Sequence, residues 1–145
     1  MTVLSRRAVL AVPLLLAGAS EAAAADFAGA LRAILKDRSP DEGAIAFDIP
    51  PLSENGNSVD LSVRVDSPMT TEDHVTAIHI LAEKNPFPLV ATFSLTPRAG
   101  RAEVATRIRL ATSQKIVALA ETNRGVVHRA TRDVIVVLGA CVETG

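Results

Sequence analysis

The sequence predicts an all-β sandwich, and three observations carry that prediction. Past residue 40 the chain breaks into short apolar runs of strand length, several strictly alternating, with a Pro, Gly or Asn turn at nearly every junction. Side-chain volume comes from Val, Ile, Leu and Ala, because there is no Trp or Tyr and only 4 Phe, and the β-branched residues among them favour strands. No helical runs alternate with the strand-like ones, which argues against a doubly wound α/β fold. The best match is an immunoglobulin-like antiparallel β-sandwich of about seven strands behind one N-terminal amphipathic helix. At 145 residues one compact domain is expected. The Cys…Trp…Cys pattern of antibody domains is absent.

The first 25 residues stand apart from the fold. "MTVLSRRAVLAVPLLLAGASEAAAAD" has a basic start at Arg6 and Arg7, an unbroken apolar run from Ala8 to Ala19, and small residues before Asp26. The run is shorter than the roughly 20 apolar residues that span a bilayer. It reads as a cleaved export signal, with cleavage within Ala23 to Ala25. The Arg pair followed by Val9 and Leu10 reads further as a twin-arginine signal, a route for folded cargo. The mature chain is then expected in the periplasm, with no membrane segment.

Residues 26–138 form the predicted domain. Phe27, Leu31, Ile34 and Leu35 share one helical stripe, Asp26 is placed to cap its start, and Pro40 is placed to stop it. A first strand covers Ala44 to Ile49 and ends at Pro50-Pro51. "ENGN" makes a turn. In "SVDLSVRVD", Val59, Leu61, Val63 and Val65 face one side and Asp60, Ser62, Arg64 and Asp66 the other, as in a half-buried strand. Residues 75–82 are a strand of mixed periodicity, "EKNPFP" is a turn, and "LVATFSL" is the next strand. "RAEVATRIRLA" points Val104, Thr106, Ile108 and Leu110 inward and Arg107 and Arg109 outward. "KIVALAE" and the long "VVHRATRDVIVVL" close the series across the "TNRG" turn.

Composition and motifs exclude several functions. A net charge of −1 gives no basic field for nucleic acid. There is no G-x-S-x-G and no Gly-rich phosphate loop. Glu42, Glu72, Asp73, Glu83 and Glu103 are scattered at turns and strand edges, the usual solvated pattern. His74, His79 and His128 with a lone Cys invite a blue-copper reading. That site needs a His and a Met close behind the Cys, and Met69 is far upstream. No metal site is expected.

The tail carries the remaining chemistry. The chain ends "LGACVETG", and Cys141 is its one cysteine. In an oxidising compartment a single cysteine marks either a reactive thiol or an intermolecular disulfide. Residues 139–145 follow the last strand and are expected to form a projecting arm. A thiol on an arm can hold a covalent group and present it to successive active sites. A tail cysteine with only an incidental disulfide fits the residues equally well.

"SPMTTEDHVTAIHILAEKNPFPLVATFSLTP", "GRAEVATRIRLATSQKIVALAE" and the strand leading into "LGAC" together resemble the SoxY family. Its members are the sulfur-carrier subunits of the periplasmic Sox thiosulfate-oxidation system. The resemblance implies an immunoglobulin-like sandwich that is a carrier and not an enzyme. Cys141 would be the attachment point, and the only "cofactor" would be the covalently bound sulfur. It implies a heterodimer with a SoxZ-like subunit. It also implies visits to a c-type cytochrome, a sulfohydrolase and a sulfane-oxidising enzyme. The family's arm is Gly-Gly-Cys-Gly-Gly; here Gly139, Ala140, Val142 and Glu143 surround Cys141. Ala140 and Val142 stiffen the arm. Glu143 and the terminal carboxylate set negative charge beside the thiol. The alternative is a SoxY-like interaction module that binds the partner while its cysteine is incidental.

Overall fold

The computed structural model describes residues 18–140, with side chains from Asp26 onward. One helix, α1 (Gly18–Leu35), precedes nine strands. They are β1 (Asp41–Glu42), β2 (Ile45–Asp48), β3 (Leu52–Asn55), β4 (Val59–Val65), β5 (Val75–Ala82), β6 (Leu89–Ser94), β7 (Ala102–Ile108), β8 (Gln114–Thr122) and β9 (Val127–Leu138). The larger sheet runs β1-β9-β8-β5-β6, with β3 also on β9; the smaller runs β2-β4-β7. The two stack as the predicted sandwich.

The alternating strand behaves as its pattern dictates. Val59, Leu61, Val63 and Val65 are buried, and β7 sends Ala102 and Ile108 to the same side. They meet Ile78, Ile80, Ile116, Ala118 and Val134 of the larger sheet to form the central core.

The mixed periodicity of residues 75–82 has a physical cause. β5 and β8 are buried on both faces. Leu81, Val117, Leu119 and Val127 point away from the central core and form a second cluster with Ile34, against which Phe27, Ala30, Leu31 and Leu35 pack. The apolar stripe of α1 thus covers the outer face of the larger sheet. Burying side chains of this size stabilises the fold by about 1.5–3 kcal/mol each when complete.

The ends of α1 differ from the prediction. The described helix already includes Gly18, so Asp26 lies inside it, continuous with an alanine-rich run of high helix propensity. It ends at Leu35, ahead of Pro40, because Lys36 and Asp37 take left-handed backbone angles (φ 48° and 66°). Arg38 then turns back, donating from Nε to the Leu35 carbonyl (2.8 Å) and from Nη2 to that of Ile34 (2.6 Å). These bonds occupy carbonyls that a helix end leaves unpaired.

Two further strands have no counterpart in the sequence pattern, and both run parallel to β9. β1 pairs with its start (Asp41↔His128) and β3 with its end (Leu52↔Ile135). Residues 41–55 therefore cross between sheets. Gly43, at φ 103°, allows the departure to β2, and the Pro51 carbonyl accepts from Ile135 N–H (2.9 Å) on the return. Ile135 and Val137 lie on the face that α1 covers further along. With Leu52 they leave an exposed apolar strip. Among the described residues no helix is long and apolar enough to cross a membrane.

Candidate functional site

The described chain ends where the predicted arm begins, and the fold grips it there. The Leu138 carbonyl accepts from Gly56 N–H (2.8 Å), the Gly56 carbonyl from Leu110 N–H (2.8 Å), and the Leu110 carbonyl from Ala140 N–H (2.9 Å). Three backbone segments are thereby laced together: the β3–β4 turn, the loop after β7 and the exit from β9. Both glycines are required by contact. A Cβ on Gly139 would collide with the carbonyl oxygen of Ala111. One on Gly56 would collide with that of Leu110. Ala140 is buried.

The sequence starts the arm at Gly139. The structure packs Gly139 and Ala140, the first two residues of that predicted arm, against the Leu110–Ala111 loop. Cys141, Val142 and Glu143 lie outside the described residues.

The loop that holds the root is itself fixed by two buried amides. Asn85 donates from Nδ2 to the Arg109 carbonyl (2.8 Å), and its Oδ1 accepts from Ala111 N–H (3.0 Å) and Gln114 Nε2 (2.9 Å). Gln114 donates also to the Thr112 carbonyl (3.0 Å) and accepts from Lys84 N–H (2.7 Å). Ser113 Oγ accepts from Val136 N–H (2.8 Å) and ties the same loop to β9. Sequence reasoning treats Asn85-Pro86 only as a turn and gives Gln114 no role. A buried amide inside a turn motif has no pattern that separates it from an exposed one.

The histidines do not converge. His74 Nδ1 lies 2.9 Å from the Thr70 carbonyl on a loop, His79 is on β5, and His128 is the second residue of β9. Met69 is buried in the central core. Among the described residues no three His, Cys, Asp or Glu side chains gather as metal ligands. His79 instead joins a polar cluster on the outer sheet face. Its Nε2 lies 2.8 Å from Glu121 Oε1, its Nδ1 lies 3.0 Å from Thr92 Oγ1, and Arg38 Nη2 donates to Glu121 Oε2 (2.9 Å). Partial burial alone would raise the Glu121 carboxyl. The hydrogen bonds and charges of Arg38 and His79 together outweigh burial and hold it below the ordinary carboxylate value. This cluster anchors the end of α1 to β8 and is not part of the arm root.

A comparison with curated protein sequences finds no match. Among solved structures, the sulfur carrier protein SoxY from Chlorobium limicola f thiosulfatophilum is 31% identical, with a TM-score of 0.64 over 78% of this chain and 97% of that one. A superoxide reductase (neelaredoxin) from Ignicoccus hospitalis superposes with a TM-score of 0.57 at 16% identity, covering 65% of this chain and 80% of that one. A putative superoxide reductase from Thermotoga maritima gives 0.54 at 19% identity, over 68% and 88%. At such identities the reductases share the fold alone. The family described as "Sulfur oxidation protein SoxY" matches residues 31–141, from α1 through the arm root to the cysteine itself. The chain belongs to the SoxY family of sulfur-oxidation proteins.

Proposed function

We propose that this chain is a periplasmic covalent sulfur carrier that holds sulfur intermediates on Cys141. The observation that carries the reading is the position of the thiol. Cys141 is the residue immediately after Ala140, whose N–H donates to the Leu110 carbonyl, and the family match ends on it. A thiol attached directly to a braced root can be offered to several enzymes from one fixed point.

The chemistry is a two-electron coupling. The Cys141 thiolate and thiosulfate form an S–S bond, and the two electrons leave to an external c-type cytochrome. The product is a cysteine-bound –S–SO3⁻ group. Hydrolysis by a separate sulfohydrolase then adds water, releases sulfate and two protons, and leaves a cysteine persulfide for a sulfane-oxidising enzyme. The thiolate is the reactive form. In this reading the chain supplies attachment and presentation, and its partners supply catalysis.

A SoxZ-like subunit completes the carrier. The exposed strip of Leu52, Ile135 and Val137 supports a protein partner, since contiguous apolar surface beside an open sheet edge marks interaction sites. The segment at residues 1–25, read as a twin-arginine signal, supports export of the folded pair.

Intact-protein mass spectrometry of the exported chain, from cells given thiosulfate, tests the reading. A reductant-sensitive adduct that disappears in Cys141→Ser is expected. A bare thiol under the same conditions, with the partner still co-purifying, would leave only the interaction module.

A further inference from the structure

The loop at residues 109–111 has two sides. One holds the arm root, through the Leu110 carbonyl and the close pass of Gly139 over Ala111. The other is held by Asn85. Beyond Asn85 the chain continues through Pro86, Phe87 and Pro88 into β6. An open groove of about 290 Å3 lies there, lined by Phe87, Leu89, Val90, Arg107 and Arg109 beside Asn85 and Ile108. Phe87 is 63% exposed and Leu89 45%. No acidic residue lines the groove. Arg107 is paired with Asp60 (2.7 Å), while Arg109 takes part in none of the ion pairs among the described residues.

We infer that this groove docks the enzyme that loads sulfur onto Cys141, and that the enzyme's contacting lip is apolar with acidic residues at its edge. The inference rests on the carrier reading. An enzyme that reaches Cys141 must come within one residue step of Ala140, about 3.8 Å between Cα atoms, and so must cover the surface around the root. The groove lies across the single 109–111 loop from the root, and Asn85 and Gly139 both meet Ala111 of that loop. An exposed residue flanked by two prolines has a restricted backbone, so little conformational freedom is lost when it is covered. Aromatic and Arg side chains are the groups that dominate protein interfaces. Arg109, which joins no ion pair among the described residues, selects for an acidic lip. It also disfavours a second copy of this chain, since a two-fold contact through the patch would bring like charges together.

The test uses the full chain with Phe87→Asp and Arg109→Glu, singly and combined, in steady-state coupling of thiosulfate by the loading enzyme. The KM for carrier rises about tenfold for each variant, and kcat at saturating carrier is unchanged. The wild-type KM rises with salt, and that of Arg109→Glu does not. Arg109→Lys keeps the charge and stays within about twofold of wild type. Tetrathionate provides the control. The Cys141 thiolate displaces thiosulfate from it and gains –S–SO3⁻ with no enzyme and no net electron transfer, at a rate within about threefold of wild type in every variant.

An unchanged KM in the double variant overturns the inference. So does tetrathionate loading slowed as much as the enzymatic reaction, which would mean a disturbed root. A dimer that Phe87→Asp disperses in sedimentation assigns the groove to a second copy and overturns it too. A wild-type Cys141 that takes no adduct from either reagent overturns the carrier reading itself.

Discussion

Gly139 crosses the carbonyl of Ala111 with no room for a methyl group between them. A side chain there forces β9 off the loop or the loop off Asn85. Gly139→Ala is expected to lower stability by about 1–3 kcal/mol, the usual cost of overpacking. It is also expected to detach Ala140 N–H from the Leu110 carbonyl. Gly29→Ala provides the opposite sign. It lies in α1 with nothing within 4 Å of an added Cβ, and helix propensity favours Ala there by about 0.5–1 kcal/mol. Urea unfolding of the two variants checks both. Equal, small effects would mean the root is not braced.

Asn85 carries three hydrogen bonds of that bracing, to the Arg109 carbonyl, Ala111 N–H and Gln114. Asn85→Leu leaves a buried donor and a buried acceptor unpaired, at about 1–3 kcal/mol each. Because Gln114 shares the network, Asn85→Leu combined with Gln114→Leu should cost less than the two single changes added. A double-mutant cycle by thermal or urea unfolding measures the coupling, and strict additivity would place the two amides in separate sites.

Much of the fold is legible in the sequence because single residues report single faces. Val59–Val65 alternates since only one of its faces is buried, so each side chain's direction can be read in turn. β5 loses its period because α1 buries the other face as well. β1 and β3 are illegible for another reason. Asp41-Glu42 and Leu52–Asn55 are short, and they become strands only through parallel partners on β9, some eighty residues on. The arm root is half legible. Gly139 can be seen as flexible, but its need for space comes from Ala111, and that of Gly56 from Leu110, and neither contact has a sequence signature.

Glu121 makes the attachment of α1 pH-dependent. Its folded-state value lies below the ordinary 4.5, so the unfolded chain takes up this proton first as pH falls. The stabilisation is complete above about pH 4.5 and is lost as pH drops through the folded value. Glu121→Gln removes the charged partner of Arg38 and should lower stability at pH 7 by about 1–2 kcal/mol. The gap from wild type should narrow as pH falls from about 4.5 through the folded value. Urea midpoints across that range decide it. A gap that stays constant would show that the carboxylate charge contributes nothing to holding the helix.

Glu143 stands two residues from Cys141, where the family's arm has glycine. Two unit charges about 7 Å apart in water repel by about 0.6 kcal/mol, a factor of two to three in rate. Glu143→Gln should therefore speed modification of Cys141 by anionic tetrathionate about two- to threefold beyond its effect on neutral iodoacetamide. The difference should fade as salt rises, because exposed charges are screened. Replacing Val142 by Gly should instead speed both reagents alike, since it frees the backbone without touching charge. Rates taken at several ionic strengths separate the two effects. If Glu143→Gln changes both reagents equally at all salt concentrations, the glutamate does not repel the incoming anion, and the electrostatic account of this arm is wrong.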